Sequence, residues 1–170
     1  ADFESGTDRI PVNIPGWLNV QFLEQDKVWE YKSYSGNRYA EMTAYAGSSA
    51  APNIKSEAWL ITPGALIPAD NYAFKFDINV RNYLGDCFTV KISTDFDGVN
   101  IKSATWTDVS KNFDIPKKQI SEMQSAGIMS LAEYAGQKIY IAFVYEGETG
   151  VKTTTIQVDN VVVDLNVFVK

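Results

Sequence analysis

The side chains best suited to bind a ligand are four aromatic residues close together in the chain, with an amide and a guanidinium between the last two: Trp29, Tyr31, Tyr34, Asn37, Arg38 and Tyr39. Aromatic faces pack against the C–H surfaces of sugar rings, and amide and guanidinium groups hydrogen-bond sugar hydroxyls. Trp29 and Tyr31 share one strand parity, which predicts that both lie in a core. We therefore expect the exposed ligand-binding residues to be Tyr34, beside a glycine turn, and Tyr83, in a polar loop.

Catalytic arrangements are missing from the sequence. Histidine is absent, which excludes Ser-His-Asp and Cys-His catalysis and most zinc or non-haem iron sites. The single cysteine, Cys87, lies in a strand-like run, where we expect a buried, unreactive thiol. The 21 acidic residues form no clustered pattern typical of sandwich-fold glycoside hydrolases, and no phosphate-binding glycine loop or nucleophile elbow is present. We expect a protein without enzymatic activity, with a small sandwich-fold glycoside hydrolase or lyase as the alternative.

The segment Asp95-Phe96-Asp97-Gly98 resembles the start of a calcium-binding loop, because oxygen-bearing side chains alternate along it. An EF-hand requires a glutamate at its twelfth position, and Trp106 stands there instead. We expect a hairpin turn with Gly98 at positive φ instead of a metal site.

The net charge of −6 indicates that nucleic acid and anionic membranes are not partners, since either would require a basic surface. No apolar stretch approaches the roughly 18 residues that cross a bilayer, so this domain is not expected to insert into a membrane. The opening residues lack an apolar targeting segment. We expect mature or truncated sequence, with any secretion signal or lipid-anchored cysteine upstream of Ala1.

The dominant periodicity along the chain is two, which is typical of β-strands. Lys138–Tyr145 is apolar on both faces, which predicts a central strand. Turn residues separate nine predicted strands, a number and spacing typical of a β-sandwich or barrel: Trp17–Leu23, Lys27–Tyr34, Tyr39–Tyr45, Glu57–Thr62, Tyr72–Val80, Phe88–Ser93, Ala104–Val109, Lys138–Tyr145 and Thr153–Val169. No repeat or composition shift marks a boundary, so residues 1–170 are expected to form one domain.

Two irregularities interrupt this pattern. Asp114 is a candidate cap for one short helical connection over Pro116–Met123, which would end near Gly127. In the last strand the apolar positions are even up to Val158 and odd from Val161 onward, through Val167 and Val169. A one-residue bulge at Asp159-Asn160 would let the apolar residues on both sides of it face the core.

An ordered set of motifs covers nearly the whole chain: DFE at residues 2–4, PGW at 15–17, YAEM at 39–42, AWLITP at 58–63, VKISTDFDG at 90–98, ATWTDVS at 104–110, LAEYAGQKIYIAFVYEG at 131–147 and QVDNVVV at 157–163. With its motifs in this order, the chain resembles the cleaved-adhesin or choice-of-anchor J domains. These domains are relatives of the MAM domain and occur in secreted bacterial surface proteins. The resemblance implies an all-β, antiparallel jelly-roll β-sandwich of galactose-binding or MAM-like type.

The same resemblance implies one structural calcium ion, because several members hold calcium between an acidic residue near the N-terminus and an aspartate in the last strand. Those positions are Glu4 and Asp159 in this chain. Calcium prefers six to eight hard oxygen ligands, which two carboxylates and backbone carbonyls can supply. The alternative is that both carboxylates accept hydrogen bonds from backbone amides alone.

The function implied is that of a non-catalytic accessory or adhesion module, binding carbohydrate or a surface protein outside a Gram-negative bacterium. We expect a monomer that is secreted or lipid-anchored. A purely structural spacer domain is a further alternative, since one fold hosts many functions.

Overall fold

The computed structural model describes residues 1–165, and the regular secondary structure in these residues is almost entirely β. The strands are β1 (Leu18–Gln21), β2 (Glu30–Tyr34), β3 (Asn37–Met42), β4 (Lys55–Ile61), β5 (Ala65–Leu66), β6 (Tyr72–Arg81), β7 (Phe88–Ser93), β8 (Thr107–Asp108), β9 (Gln124–Ser130), β10 (Lys138–Glu148) and β11 (Thr155–Leu165). Three short 3-10 turns, Ile101–Ser103, Ser110–Asn112 and Ala132–Tyr134, connect some of them.

The strands form two antiparallel sheets. One has the order β1-β4-β10-β7-β8, with β5 added to β10, and the other has the order β2-β3-β11-β6-β9. Their facing sides enclose a continuous apolar core that contains Trp29, Phe76 and Phe143. The predicted jelly-roll β-sandwich is therefore confirmed. No helix in the described part of the chain is both long and apolar enough to span a membrane.

Strand β10 lies between β4 and β7, as its two apolar faces predict. Its inward residues join the core between the sheets, whereas Ala142 and Val144 face away from it and join a second apolar cluster. The connection between β7 and β8 folds back over this outer face. It contributes Phe96 and Trp106, and Trp106 packs edge-on against Trp59 with 5.2 Å between ring centroids.

The predicted helix over Pro116–Met123 is wrong. These residues form an irregular, non-helical segment that leads directly into β9. The backbone N–H of Ile120 donates to the carbonyl of Val80 at 3.0 Å, so the segment runs along the edge of the sheet. Hydrogen bonds to the edge of the sheet satisfy backbone N–H and C=O groups, which in a helix would have been paired with each other.

The predicted bulge in the last strand is confirmed. The register between β11 and β6 shifts between Asp159 and Val162. Asn160 has φ of 49°, a left-handed conformation that asparagine tolerates better than most residues. As a result Val158 and Val161 are both buried in the core. The predicted continuation through Val167 and Val169 lies outside the described residues.

Candidate functional site

Three connections meet at one end of the sandwich: residues 43–54, 82–87 and 149–154. They are joined by hydrogen bonds between backbone groups and threonine hydroxyls. The N–H of Leu84 donates to the Thr154 hydroxyl at 2.8 Å, and the N–H of Thr153 donates to the Leu84 carbonyl at 3.0 Å. The Thr154 hydroxyl in turn donates to the carbonyl of Gly85 at 2.6 Å. These bonds hold the 82–87 loop in one position against the start of β11.

The conformation of the 82–87 loop follows from its sequence. Asn82 and Gly85 have φ of 48° and 80°, left-handed conformations that suit asparagine and glycine. A Cβ atom at Gly85 would lie 2.7 Å from Cγ of Lys152, so the close approach of these two connections requires glycine. Between these two turns the loop projects Tyr83.

Tyr83 lines a cavity of about 390 Å³ at this end of the molecule. Phe88 and Ile156 belong to different sheets and both line the cavity, so it reaches between the two layers of the sandwich. Phe113 forms another wall and packs on Phe76, with 4.9 Å between ring centroids. Two of the cavity's aromatic walls, Phe88 and Phe113, are therefore fixed by the core, and the third, Tyr83, is 36% exposed at its edge.

Polar groups surround the cavity mouth. The Tyr83 hydroxyl donates to the carboxylate of Asp86 at 2.8 Å, and the ammonium of Lys117 lies 3.0 Å from the same carboxylate. Both hydrogen bonds lower the pKa of Asp86, and the bond to Asp86 raises the pKa of Tyr83. Ser110 and Lys111 complete the mouth. The cavity thus combines aromatic surface with charged and hydroxyl groups.

Cys87 also lines the cavity and is buried, as predicted. Burial raises the pKa of its thiol. A thiol with a raised pKa forms little of the reactive thiolate at neutral pH. Cys87 therefore supplies packing volume to the cavity wall.

Tyr34 is 74% exposed and lies at the turn between β2 and β3, at the opposite end of β3 from the 43–54 connection. The structure therefore does not bring Tyr34 and Tyr83 together. Trp29 and Tyr31 are buried in the core, as their parity predicts, and Tyr39 is 7% exposed on the outer face of its sheet.

The structure brings Glu4 and Asp159 to the same edge of the molecule through the turn between β2 and β3. Glu4 Oε1 accepts a hydrogen bond from the N–H of Arg38 at 2.9 Å. Asp159 accepts bonds from Asn37 Nδ2 at 3.0 Å and from the N–H of Asn160 at 2.7 Å. Both carboxylates thus accept hydrogen bonds from neighbouring residues at the start of β3.

Asp159 is only 1% exposed. Burial raises the pKa of Asp159, hydrogen bonds from Asn37 and Asn160 oppose the rise, and the carboxylates of Glu4 and Asp77 add to it. A buried carboxylate whose charge is opposed by two other carboxylates is an environment that a bound cation would stabilise. The oxygen donors fit the preferences of calcium. Among residues 1–165, however, no three acidic, cysteine or histidine side chains are grouped to hold a metal, so backbone carbonyls would have to complete the ligand set.

The carboxylates of Asp95 and Asp97 are engaged within their own turn. Asp97 accepts bonds from the N–H groups of Val99 and Asn100 at 2.8 and 2.7 Å, and Asp95 accepts one from the N–H of Thr105 at 2.8 Å. Gly98 has φ of 88°. The predicted positive φ of Gly98 is confirmed, but the predicted hairpin turn is wrong, because residues 94–106 form a long connection between β7 and β8.

Sequence reasoning missed the cavity walls that come from residues 110–117. Lys117 lies in the segment that is predicted to be helical, and Phe113 directly precedes the predicted cap at Asp114. A signal was available at Pro116, because proline and the residue before it favour extended backbone. An extended segment there would have placed alternate side chains toward Tyr83.

The fold and the cavity define a jelly-roll β-sandwich with a ligand-sized cavity at one end. The chain belongs to the family described as a domain of unknown function (DUF5017), which matches residues 69–168. None of the curated proteins matches the chain.

Solved structures share the fold over almost the whole chain. The K1 cleaved adhesin domain of Lys-gingipain from Porphyromonas gingivalis W83 is 19% identical with a TM-score of 0.62, over 98% of this chain and 96% of that one. TmCBM61, solved in complex with β-1,4-galactotriose, is 13% identical with a TM-score of 0.57, over 96% and 94% of the two chains. The resemblance to cleaved-adhesin domains is confirmed. Identities this low establish a common fold only. The function must therefore be inferred from the residues of the site.

Proposed function

We propose that this protein is a non-catalytic carbohydrate-binding module and that the cavity beside Tyr83 is its binding site. The observation that carries the proposal is the composition of that cavity. Fixed aromatic rings form its walls, and Asp86, Ser110 and Lys117 offer hydrogen-bonding groups at its mouth. Aromatic faces with a few oriented polar groups form the usual chemistry of sugar recognition. The solved structure of TmCBM61 with a galactotriose shows that a sandwich of this fold can serve such a role.

The acidic content of the cavity favours binding over hydrolysis. Glycoside hydrolysis uses two carboxyl groups about 5 to 9.5 Å apart on either side of the scissile bond. In the part of the chain that the structure describes, Asp86 is the only acidic residue that lines the cavity. Asp86 is also paired with Lys117, and its pKa is lowered, whereas a general acid requires a raised pKa.

We also propose that one structural calcium ion binds between Glu4 and Asp159. Support comes from the burial of Asp159, from the charge repulsion that Glu4 and Asp77 exert on it, and from the hydrogen bonds that Glu4 and Asp159 accept at the start of β3. An ion bound by both carboxylates would link the N-terminal segment to β11. It would lie at the edge of the sandwich, away from the sugar cavity.

A location outside the cell fits this proposal, because complex carbohydrates are most abundant on cell surfaces and in the medium. A secreted or surface-anchored module on a bacterium is the setting that we infer. The acidic net charge of −6 supports a soluble ligand or a neutral glycan in preference to an anionic surface.

The test is a glycan array probed with the folded protein and with two variants. Tyr83→Ala should abolish binding to every glycan that the wild type retains, because it removes the exposed aromatic wall of the cavity. Tyr34→Ala is the matched control, since it removes an exposed tyrosine at the other end of β3, and it should bind like the wild type.

Three results would contradict the proposal. Absence of any retained glycan would leave the structural spacer as the better account. Loss of binding in Tyr34→Ala with retention in Tyr83→Ala would move the site to the β2–β3 turn. Release of reducing sugar from a retained glycan would favour the glycoside hydrolase alternative.

A further inference from the structure

A second concave region lies on the other side of the 82–87 loop from the Tyr83 cavity. It is a cavity of about 270 Å³ lined by Tyr45, Leu84, Pro52 and the small residues that follow Tyr45. An adjoining cavity of about 370 Å³ is lined by Tyr45, Asn82 and Thr153. Tyr45 is 57% exposed and is common to both.

The 82–87 loop and the start of β11 form a thin wall between the two regions. Tyr83 and Thr154 line the first cavity, whereas their chain neighbours Leu84 and Thr153 line the second. Consecutive Cα atoms are about 3.8 Å apart, so the cavities lie back to back across a single thickness of chain. The bonds from Leu84 to Thr154 and from Thr153 to Leu84 fix this wall.

The second region has a different electrostatic character from the first. Among the described residues that line its two cavities, none carries a charged side chain, whereas Asp86, Lys111 and Lys117 line the first cavity. An uncharged lining with one exposed aromatic ring and the polar groups of Ser48 and Asn82 suits a neutral polyhydroxylated ring. The described residues of its lining offer no charged partner for a carboxylate, sulfate or phosphate.

Exposed apolar side chains gather around the same wall. Tyr45, Tyr83, Leu84 and Val151 are each at least 36% exposed, and they come from three different connections. Exposed apolar groups that cluster in this way usually mark a binding surface.

We infer that the Tyr45 region is a second subsite, and that the ligand is a neutral oligosaccharide chain that crosses the 82–87 loop with one sugar at Tyr83 and another at Tyr45. This inference rests on the proposed carbohydrate-binding function. It adds that the protein recognises a chain of at least two linked sugars. Neither a single sugar nor a charged terminal residue would fill both subsites.

The test compares affinity with chain length. Oligomers of one to four units of β-1,4-linked galactose, glucose, xylose and mannose are titrated against the wild type, Tyr45→Ala and Tyr83→Ala. The wild type should bind the longer members of its preferred series about tenfold more tightly than the single sugar, a gain that one aromatic contact can supply. Tyr45→Ala should lose that gain and keep the affinity of the wild type for the single sugar.

The outcomes separate this inference from the function on which it rests. Affinity that depends on Tyr83 and does not change with chain length would overturn the second subsite and leave the binding function intact. An unchanged length dependence in Tyr45→Ala would also overturn it. Binding of no oligomer in any series would overturn both. Because the Tyr45 side chain is largely exposed, loss of folding is not expected, and circular dichroism of each variant verifies this.

Discussion

The hydroxyl of Tyr145 accepts a hydrogen bond from the backbone N–H of Ala44 at 2.9 Å. The same hydroxyl donates to the carbonyl of Thr154 at 2.8 Å, so one buried side chain from β10 joins two of the connections that shape the candidate site. Burial raises the pKa of Tyr145 well above its usual value. The phenol therefore stays protonated and able to donate at neutral pH.

Replacement of Tyr145 by phenylalanine should lower the free energy of unfolding by about 2 kcal/mol, because a buried N–H and a buried carbonyl both lose their partner. For a chain of this size the melting temperature should fall by roughly 4 to 8 °C. Thermal unfolding followed by circular dichroism measures the change. Tyr34→Phe removes the hydroxyl of an exposed tyrosine and should leave the melting temperature unchanged. Equal stability of the two variants would show that the bonds of Tyr145 contribute nothing net.

The raised pKa of Asp159 predicts a specific dependence of stability on pH. Because the folded state holds the proton more tightly than the unfolded state, the stabilising contribution is present at low pH. It is lost as pH rises from the usual aspartate value near 3.9 through the raised folded value. Denaturation in chelator across pH 4 to 8 measures it. Asp159→Asn keeps an oxygen that can accept from Asn160 and should not show this loss. The free energy of unfolding of Asp159→Asn minus that of the wild type should therefore increase with pH. A difference that stays constant from pH 4 to 8 would contradict the prediction.

Calcium should stabilise the wild type at neutral pH, where Asp159 must ionise. A ligand that binds only the folded state adds about 2.7 kcal/mol at a hundredfold excess over its dissociation constant. The melting temperature should rise by several degrees with calcium and fall again with chelator. Glu4→Gln and Asp159→Asn should each abolish the shift. Asp97→Asn is the matched control in another acidic turn and should keep it. A shift that survives in Asp159→Asn would place the ion elsewhere.

The bulge in β11 predicts different outcomes for two changes at Asn160. Asn160→Gly removes the steric strain of the left-handed conformation, because glycine adopts positive φ freely. It also removes the hydrogen bond from Asn160 Nδ2 to Asp77 at 2.9 Å, so the two effects oppose each other and stability should change little. Deletion of Asn160 would turn Val161 and Val163 away from the core. Loss of cooperative unfolding is expected for the deletion alone. A deletion variant as stable as Asn160→Gly would show that the register of β11 can shift without penalty.

Much of the fold could be predicted because periodicity reports directly on burial. The two apolar faces of Lys138–Tyr145 correctly indicated a central strand, and the parity change at Asp159-Asn160 correctly located a bulge. Strand β9 was missed because its own bulge breaks the alternation. Ala126 and Met129 both face the core, although three positions separate them, and Gly127 between them has φ of 103°.

The site was harder to predict than the fold, because it is formed by connections. Tyr83 was identified from its loop, but nothing in the sequence shows that Phe113 would lie beside it, 30 residues further along. Tyr45 was overlooked for the same reason. A signal exists in hindsight, since Tyr45 precedes the run Ala46–Ala51, whose small side chains leave an aromatic ring uncovered. The outward cluster of Trp59 and Trp106 likewise depends on a connection that folds back over the sheet.

The irregularity at Gly127 has a consequence for the protein at high concentration. Strand β9 is an outermost strand of its sheet, and a regular outermost strand offers its unpaired backbone groups to a second molecule. The register of β9 against β6 shifts between Lys75 and Asp77, opposite Gly127, so β9 does not present a straight row of donors and acceptors. Edge-to-edge pairing of two copies is thereby discouraged. The glycine that obscures this strand in the sequence thus also makes the edge of the folded sheet a poor template for a second strand.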